Sequence, residues 1–386
     1  EPVEWVTLDF VFSKTDSLGT NATKFLNTVY AGLQNGHNRV NSDYLDAASD
    51  DAVSINTSDP DVYKLAVGRY DSRTIMTSDM RWSEYYKSIR RANIFINNID
   101  VVPYQATYTN SKGEVKPLNV TLKAEARFLR ACFYFELVKR YGGVPLIGEN
   151  VPVLGDNMEL PRNTFEECIN YIVSELDAIK EDLRTYPSSD FAQYSHAPTC
   201  EACIAMKARV LLYAASPLFN GETIEAGNEL VGYASKDIER WKLAAETAKE
   251  FIDTYGPSGN GSYGLCSDFR DVFLGFYNIS TNPEVIFYRP GANSTSIEND
   301  NGPLGFSNNA AGRGRTLPTQ NLVDAFPMLD GKVAGESRYT LGTGVEQYQN
   351  RDPRLNYTIL HQSILQLAII CVSLWGNLKM HLNIAV

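Results

Sequence analysis

The sequence predicts a mainly α protein in which a stack of paired helices is followed by a loop-rich part with short strands. Three observations support this. Apolar residues recur at the 3.6-residue period in successive segments between about residues 21 and 256. Cap and stop signals bound those segments. Beyond Gly256, Gly, Asn, Pro and Ser dominate and the apolar runs shorten, as in Val285-Ile286-Phe287-Tyr288.

The elements follow in order. Residues 1 to 20 look irregular, and a short helix is expected over Asn21 to Gln34. A polar loop rich in Asp and Asn runs from Asn35 to about Asp79, with room for a short helix or turn. The next helix should begin at Ser78 or Asp79, both good N-caps. Its stripe is Trp82, Tyr85, Ile89, Ala92, Ile96 and Ile99, which places Trp82 in the core. After a loop containing Pro103 and Pro117 comes AEARFLRACFYFELVKRYGGVPLI, Ala124 to Ile147. One apolar row here is Leu122, Ala126, Leu129, Phe133 and Leu137, and a second is Phe128, Ala131, Phe135 and Val138. A helix this apolar needs cover on two sides, with Lys123, Arg127 and Arg130 left for the remaining strip. Gly142 and Gly143 supply a left-handed cap, Pro145 forbids continuation, and Lys139 and Arg140 suit the C-terminal dipole. These two helices are expected to form an antiparallel pair.

Thr164-Phe-Glu-Glu167 is a capping box, followed by the stripe Phe165, Ile169, Ile172, Leu176, Ile179 and Leu183. An Ala-rich helix starts after Pro198 and runs to Ala215. A last one carries Trp241, Ala244, Ala248, Phe251 and Tyr255 and stops at Gly256-Pro257. Helix pairs with this Ala-and-aromatic pattern resemble tetratricopeptide repeats, although no strict 34-residue period fits.

The 386 residues are 44% hydrophobic and 21% charged, ordinary for a folded protein. With 35 Lys plus Arg against 46 Asp plus Glu, the chain carries −11. An acidic chain without a basic block argues against nucleic acid and against a polybasic membrane contact. Twenty-two Tyr stand beside four Trp and four His; Tyr suits amphipathic ligands such as sugars, though it also fills helical cores. Six Cys are too few for a disulfide scaffold. The apolar run Ile364 to Trp375 is too short to span a bilayer.

Several stretches together carry a resemblance: RWSEYYKSIRRANIFINNI (Arg81 to Ile99), AEARFLRACFYFELVKRYGGVPLI, KARVLLYAASPLFN (Lys207 to Asn220), NPEVIF (Asn282 to Phe287), PTQNLVDAFPMLDGK (Pro318 to Lys332) and RDPRL (Arg351 to Leu355). Their order and spacing resemble the SusD/RagB family of outer-membrane nutrient-binding lipoproteins over roughly Thr20 to Ile359. The resemblance implies a tetratricopeptide-like helical scaffold with a loop-rich binding face. It implies a lipid-anchored protein on the cell surface, seated on a SusC-like TonB-dependent transporter and binding polysaccharide or oligosaccharide, with peptide as ligand in some members. It implies binding without catalysis and without a cofactor. The expected organisation is one SusD-like domain over residues 1 to 359, with helical pairs at about 21 to 256 and an irregular binding subdomain at about 257 to 359. Two departures stand out. The chain opens Glu-Pro-Val-Glu-Trp, without the lipoprotein signal and its Cys, so the N-terminal anchor is expected to have been removed. Leu360 to Val386 has no acidic residue and matches nothing of the family; it is expected to be a frameshifted or misjoined end, leaving the family domain truncated.

Other chemical signals are weaker. Gly259-x-Gly261-x-x-Gly264 follows a helix end rather than a strand and reads as a loop. Cys200-x-x-Cys203 with His196 lacks a fourth zinc ligand and reads as small residues on a packed helix. Asp300-Asn301-Gly302 lacks the remaining positions of a calcium loop. No catalytic motif and no metal site is assigned. Ligand residues are argued from type, an aromatic face beside planar hydrogen-bonding groups. One loop set is Asp50, Asp51, Arg69, Tyr70 and Arg73; the other is Phe276, Tyr277, Tyr288, Arg289 and Asn293. The function expected is capture of glycan for uptake through the transporter. The alternative is a helical-repeat scaffold that binds a peptide or protein.

Overall fold

Each apolar stripe between residues 20 and 256 becomes a helix: α1 (Thr20–Tyr30), α2 (Trp82–Asn98), α3 (Leu118–Tyr141), α4 (Phe165–Ile179), α5 (Cys200–Ala215) and α6 (Glu239–Tyr255). The computed structural model describes residues 7–34, 43–58, 61–71, 73, 77–153, 155–157, 159–187, 194–274, 282–289, 295–303 and 312–361. The tail from 362 onwards lies outside them. The chain forms two units. The first comprises Glu1–Gln34, Met80–Leu265 and Pro283–Pro290; the second comprises Asn35–Asp79, Cys266–Asn282 and Gly291–Val386.

In the first unit each long helix packs on the next in sequence, as a repeat stack requires. The partners of α2 and α3 run in opposite order. Trp82 meets Tyr141 and Tyr85 meets Phe133, while Asn93 meets Arg130 and Asp100 pairs with Lys123. The pair is therefore antiparallel, as expected. Both apolar rows of α3 are buried, each large side chain contributing about 1.5–3 kcal/mol.

Arg130 departs from the expected polar strip. It is 1% exposed. Its guanidinium donates to Glu175 at 2.6 Å and to Asn93 at 2.7 Å, while Arg127 donates to the same Glu175 carboxylate at 2.8 Å. Burial raises the Glu175 pKa, but the two arginines outweigh it and hold the carboxyl below its ordinary range. A second buried pair, Arg184 with Glu125 at 2.8 Å, takes a further hydrogen bond from Tyr30.

The helix ends follow their chemistry. The Thr164 capping box is present. α2 does not start on Ser78 or Asp79: a one-turn helix closes at Thr77–Met80, and Arg81, at φ 44°, breaks the chain before Trp82. Gly142 takes φ 72°. A Cβ on Gly143 would meet the Asn163 carbonyl, and one on Gly142 the Leu230 carbonyl. The double glycine thus ends α3 and admits two crossing backbones. Arg162 completes the cap, donating to the carbonyls of Tyr141 and Gly143, each at 2.6 Å. The run Val285 to Tyr288 forms no strand; Phe287 instead packs edge-on against Phe128 of α3 at 5.1 Å.

In the second unit, strand Ala52–Ser54 pairs antiparallel with Thr316–Pro318, and helix Asp61–Ala66 packs on the Leu45–Ala48 turn. Val323, Leu355 and Ile359 form a small core. Arg351 of RDPRL donates to the carbonyls of Val323 and Phe326 at 2.6 and 2.5 Å. Asp352 caps the helix Pro353–Thr358. That motif is a fastening of backbone.

Candidate functional site

One row of α2 is polar or aromatic where a surface row would be charged. Tyr86, Arg90, Asn93 and Asn97 are spaced four, three and four, so they share a face. All four donate to carbonyls of the segment that leaves α3. The Tyr86 hydroxyl bonds Pro145 at 2.9 Å, Arg90 Nε bonds Pro152 at 3.0 Å, and Asn97 Nδ2 bonds Glu149 at 3.0 Å. Asn93, fully buried, bonds Gly148 at 2.9 Å and Asn150 at 2.7 Å. Val-Pro-Leu-Ile and its continuation have no strand to join, so side chains of α2 satisfy the backbone groups a sheet would otherwise satisfy.

This ladder forms one wall of a cleft of 430 Å³, within the range of small-molecule sites. Trp82, Tyr86, Lys87 and Arg90 line it from α2; Pro145, Ile147, Pro152, Val153 and Leu160 face them. The Trp82 and Tyr86 rings lie 4.9 Å apart, and Tyr141 holds Trp82 edge-on at 4.8 Å. Trp82 remains 37% exposed, which corrects its expected place in the core. Burial pushes the Tyr86 hydroxyl well up, so it stays a neutral donor to Pro145. Arg90 and Lys87 stand exposed at the rim. Lys87 pairs with Glu84 at 2.8 Å, both largely in water.

The second unit has a cleft of 390 Å³ beside Thr319, Gln347 and Tyr348. Its most planar group, the His361 ring, is stacked on Tyr348 at 4.0 Å, so neither ring offers both faces.

The residues expected to bind divide between the units. Asp50, Asp51, Arg69, Tyr70 and Arg73 belong to the second. Asp50 and Asp51 are exposed on the turn before strand Ala52–Ser54, and their carbonyls accept from Thr319. Arg69 and Tyr70 follow helix Asp61–Ala66; Tyr70 is half-buried, while Arg69 and Arg73 are exposed. Tyr288 and Arg289 belong to the first unit, where the Tyr288 hydroxyl lies 3.0 Å from Ser195 Oγ. Phe276, Tyr277 and Asn293 lie outside the described residues.

Cys200 and Cys203 are buried on α5, and burial pushes the Cys200 thiol up to about 11, which disfavours a thiolate ligand. Among the described residues no His, Cys, Asp and Glu group could hold a metal ion. Gly259 to Gly264 is a loop after α6. Asp300 is paired with Arg313 at 3.1 Å and Arg315 at 3.4 Å. No helix among the described residues is long and apolar enough to cross a membrane.

Trp82, Tyr86, Lys87 and Arg90 escaped the sequence reading because Trp82 shares a face with both rows: it lies three residues before Tyr85 of the core stripe and four before Tyr86 of the ladder. The usable signal was the Trp-x3-Tyr-x3-Arg repeat beside that stripe, followed by the prolines of the α3 exit.

A stack of helices packed in sequence order, with a loop-rich second unit, is a helical-repeat architecture, and a cleft opens at the edge of α2. The chain belongs to the SusD-like family. The family described as "Starch-binding associating with outer membrane" matches residues 12–212, and the SusD family matches residues 283–366. A SusD-like protein of Bacteroides ovatus is 31% identical over 182 residues, covering 46% of this chain and 30% of its own. SusD-like protein P38 of Formosa agariphila is 27% identical over 188 residues, 49% of this chain and 33% of its own. These matches span about a third of each curated relative. Among solved structures, a SusD-like protein of Bacteroides fragilis superposes with a TM-score of 0.64 at 24% identity, over 92% of this chain and 62% of the other. A SusD-like carbohydrate-binding protein of the same species gives 0.61 at 21% identity, over 90% and 60%. A laminarin-binding SusD-like protein gives 0.50 at 19% identity, over 69% and 50%. These likenesses establish the helical fold.

Proposed function

We propose that the protein captures oligosaccharide at the outer surface of the outer membrane, without catalysis, and passes it to a SusC-like TonB-dependent transporter. The observation that carries this reading is the aromatic cleft. An exposed Trp82 face next to Tyr86, opposite a wall of proline and aliphatic side chains, matches the apolar face of a pyranose ring. Family membership and the carbohydrate-binding relatives support it. The loop residues of each unit, Asp50, Asp51, Arg69, Tyr70 and Arg73 in the second and Tyr288 and Arg289 in the first, are proposed as glycan contacts in their own right, to be read separately by Tyr70→Ala and Tyr288→Ala.

Affinity electrophoresis against a panel of soluble polysaccharides, with the gel glycans checked for breakdown, tests the reading. Retardation by one polysaccharide, lost in Trp82→Ala at unchanged Tm, is the expected result. Release of oligosaccharide products would replace capture by enzymatic cleavage. Retardation by none, with a peptide library bound instead, would replace glycan by peptide.

A further inference from the structure

We infer that the Trp82 cleft selects acidic sugars: a ring stacked on Trp82 and Tyr86 whose carboxylate or sulfate is held by Arg90 and Lys87. The inference rests on the glycan-capture reading and names its substrate class.

Three observations carry it. The chain has 46 acidic against 35 basic residues, yet among the described residues the lining of this cleft includes two cations and no carboxylate. The nearest acid along the helix, Glu84, faces Lys87 in an exposed pair; such pairs are worth at most about 1 kcal/mol, so Lys87 is free to turn to a better anion. Arg90 is fixed rather than loose. Its Nε is tied to the Pro152 carbonyl at 3.0 Å, which orients the guanidinium plane and leaves the two terminal nitrogens without a partner among the described residues. Two parallel N–H groups in that plane match a carboxylate or sulfate edge.

Spacing completes the geometry. Tyr86 and Arg90 are one turn apart on the same helix face, and Lys87 lies three residues from Arg90. The Trp82 and Tyr86 planes are tilted by 48°, so a sugar ring stacks on Trp82 and abuts Tyr86, with a substituent at its edge turned toward both cations. A neutral sugar would fill the same platform but leave Arg90 unsatisfied.

Calorimetric titration of the whole protein with three oligosaccharide probes tests this: an oligogalacturonate (carboxylate), a carrageenan oligosaccharide (sulfate) and a neutral malto-oligosaccharide. One acidic probe is expected to bind at least tenfold more tightly than the neutral one, and which of the two binds identifies the anion. Raising salt should weaken that binding. Arg90→Gln should cost at least tenfold for the acidic probe, a larger loss than for the neutral one. Lys87→Gln, which removes only an exposed pair, should weaken acidic binding in the same direction without changing Tm, and so guards against a folding defect in the Arg90 variant. Neutral binding that depends on Trp82, with no preference for either acid, overturns the acidic assignment and keeps the capture reading. Binding of no probe in a Trp82-dependent manner overturns both.

Discussion

Replacing Asn93 with leucine removes the centre of the ladder while nearly preserving volume. Asn93 Nδ2 serves the carbonyls of Gly148 and Asn150, and its Oδ1 accepts from Arg130 at 2.7 Å. Gly148 retains an Arg130 N–H at 3.3 Å and Asn150 is exposed to water, so the group stranded outright is one buried guanidinium N–H. A buried orphan costs about 1–3 kcal/mol, more when charged. Asn93→Leu is therefore expected to lose about 2–4 kcal/mol, partly offset by the added apolar side chain. For a domain the size of the first unit that is a drop in Tm of about 4–16 °C. Asn97→Ala, which removes one exposed bond, should cost under about 1 kcal/mol. Far-UV circular dichroism is the assay, because the long helices belong to this unit. A loss for Asn93→Leu no larger than that for Asn97→Ala would refute the ladder as the support of the α3 exit.

Two further outcomes follow from the same unit. Thr164→Ala removes half of the capping box at α4 and should cost about 1 kcal/mol by thermal denaturation. Arg127 and Arg130 hold the folded Glu175 carboxyl below the ordinary glutamate range, so the unfolded chain takes up that proton first on acidification. Its stabilisation is complete above about pH 4.5 and is lost as pH falls through the lower folded value; Glu175→Gln should flatten the acid limb of a stability–pH curve, and an unchanged limb would remove Glu175 from that role.

The repeating elements were legible because their signals are local. A capping box at Thr164, the double glycine at 142–143 and the rows of α3 each act within one or two turns, and each is found where its spacing puts it. Arg130 was misplaced for a physical reason. A charged residue on a helix reads as surface until its partners are known, and Glu175 and Asn93 lie 45 and 37 residues away. Trp82 was misplaced because periodicity assigns a face but not the end of the neighbour that covers it. α2 starts with Trp82 beside the last residue of α3, Tyr141, so the first ring of the stripe meets an edge instead of a centre. The cleft depends on a wall with no periodicity of its own, the exit from α3, whose place is set by donors on α2 and by Arg130, Tyr134 and Asn163.

Because those donors grip carbonyl oxygens, the exit segment is held by atoms that every residue type possesses. Its exposed side chains at Val153 and Leu160 contribute lining but little anchorage, whereas Ile147 is buried in the core. The frame and the lining are thereby separately inheritable: substitutions at Val153 and Leu160 can reshape what the cleft accepts while the side chains of α2 and α3 that grip the backbone keep the wall in place.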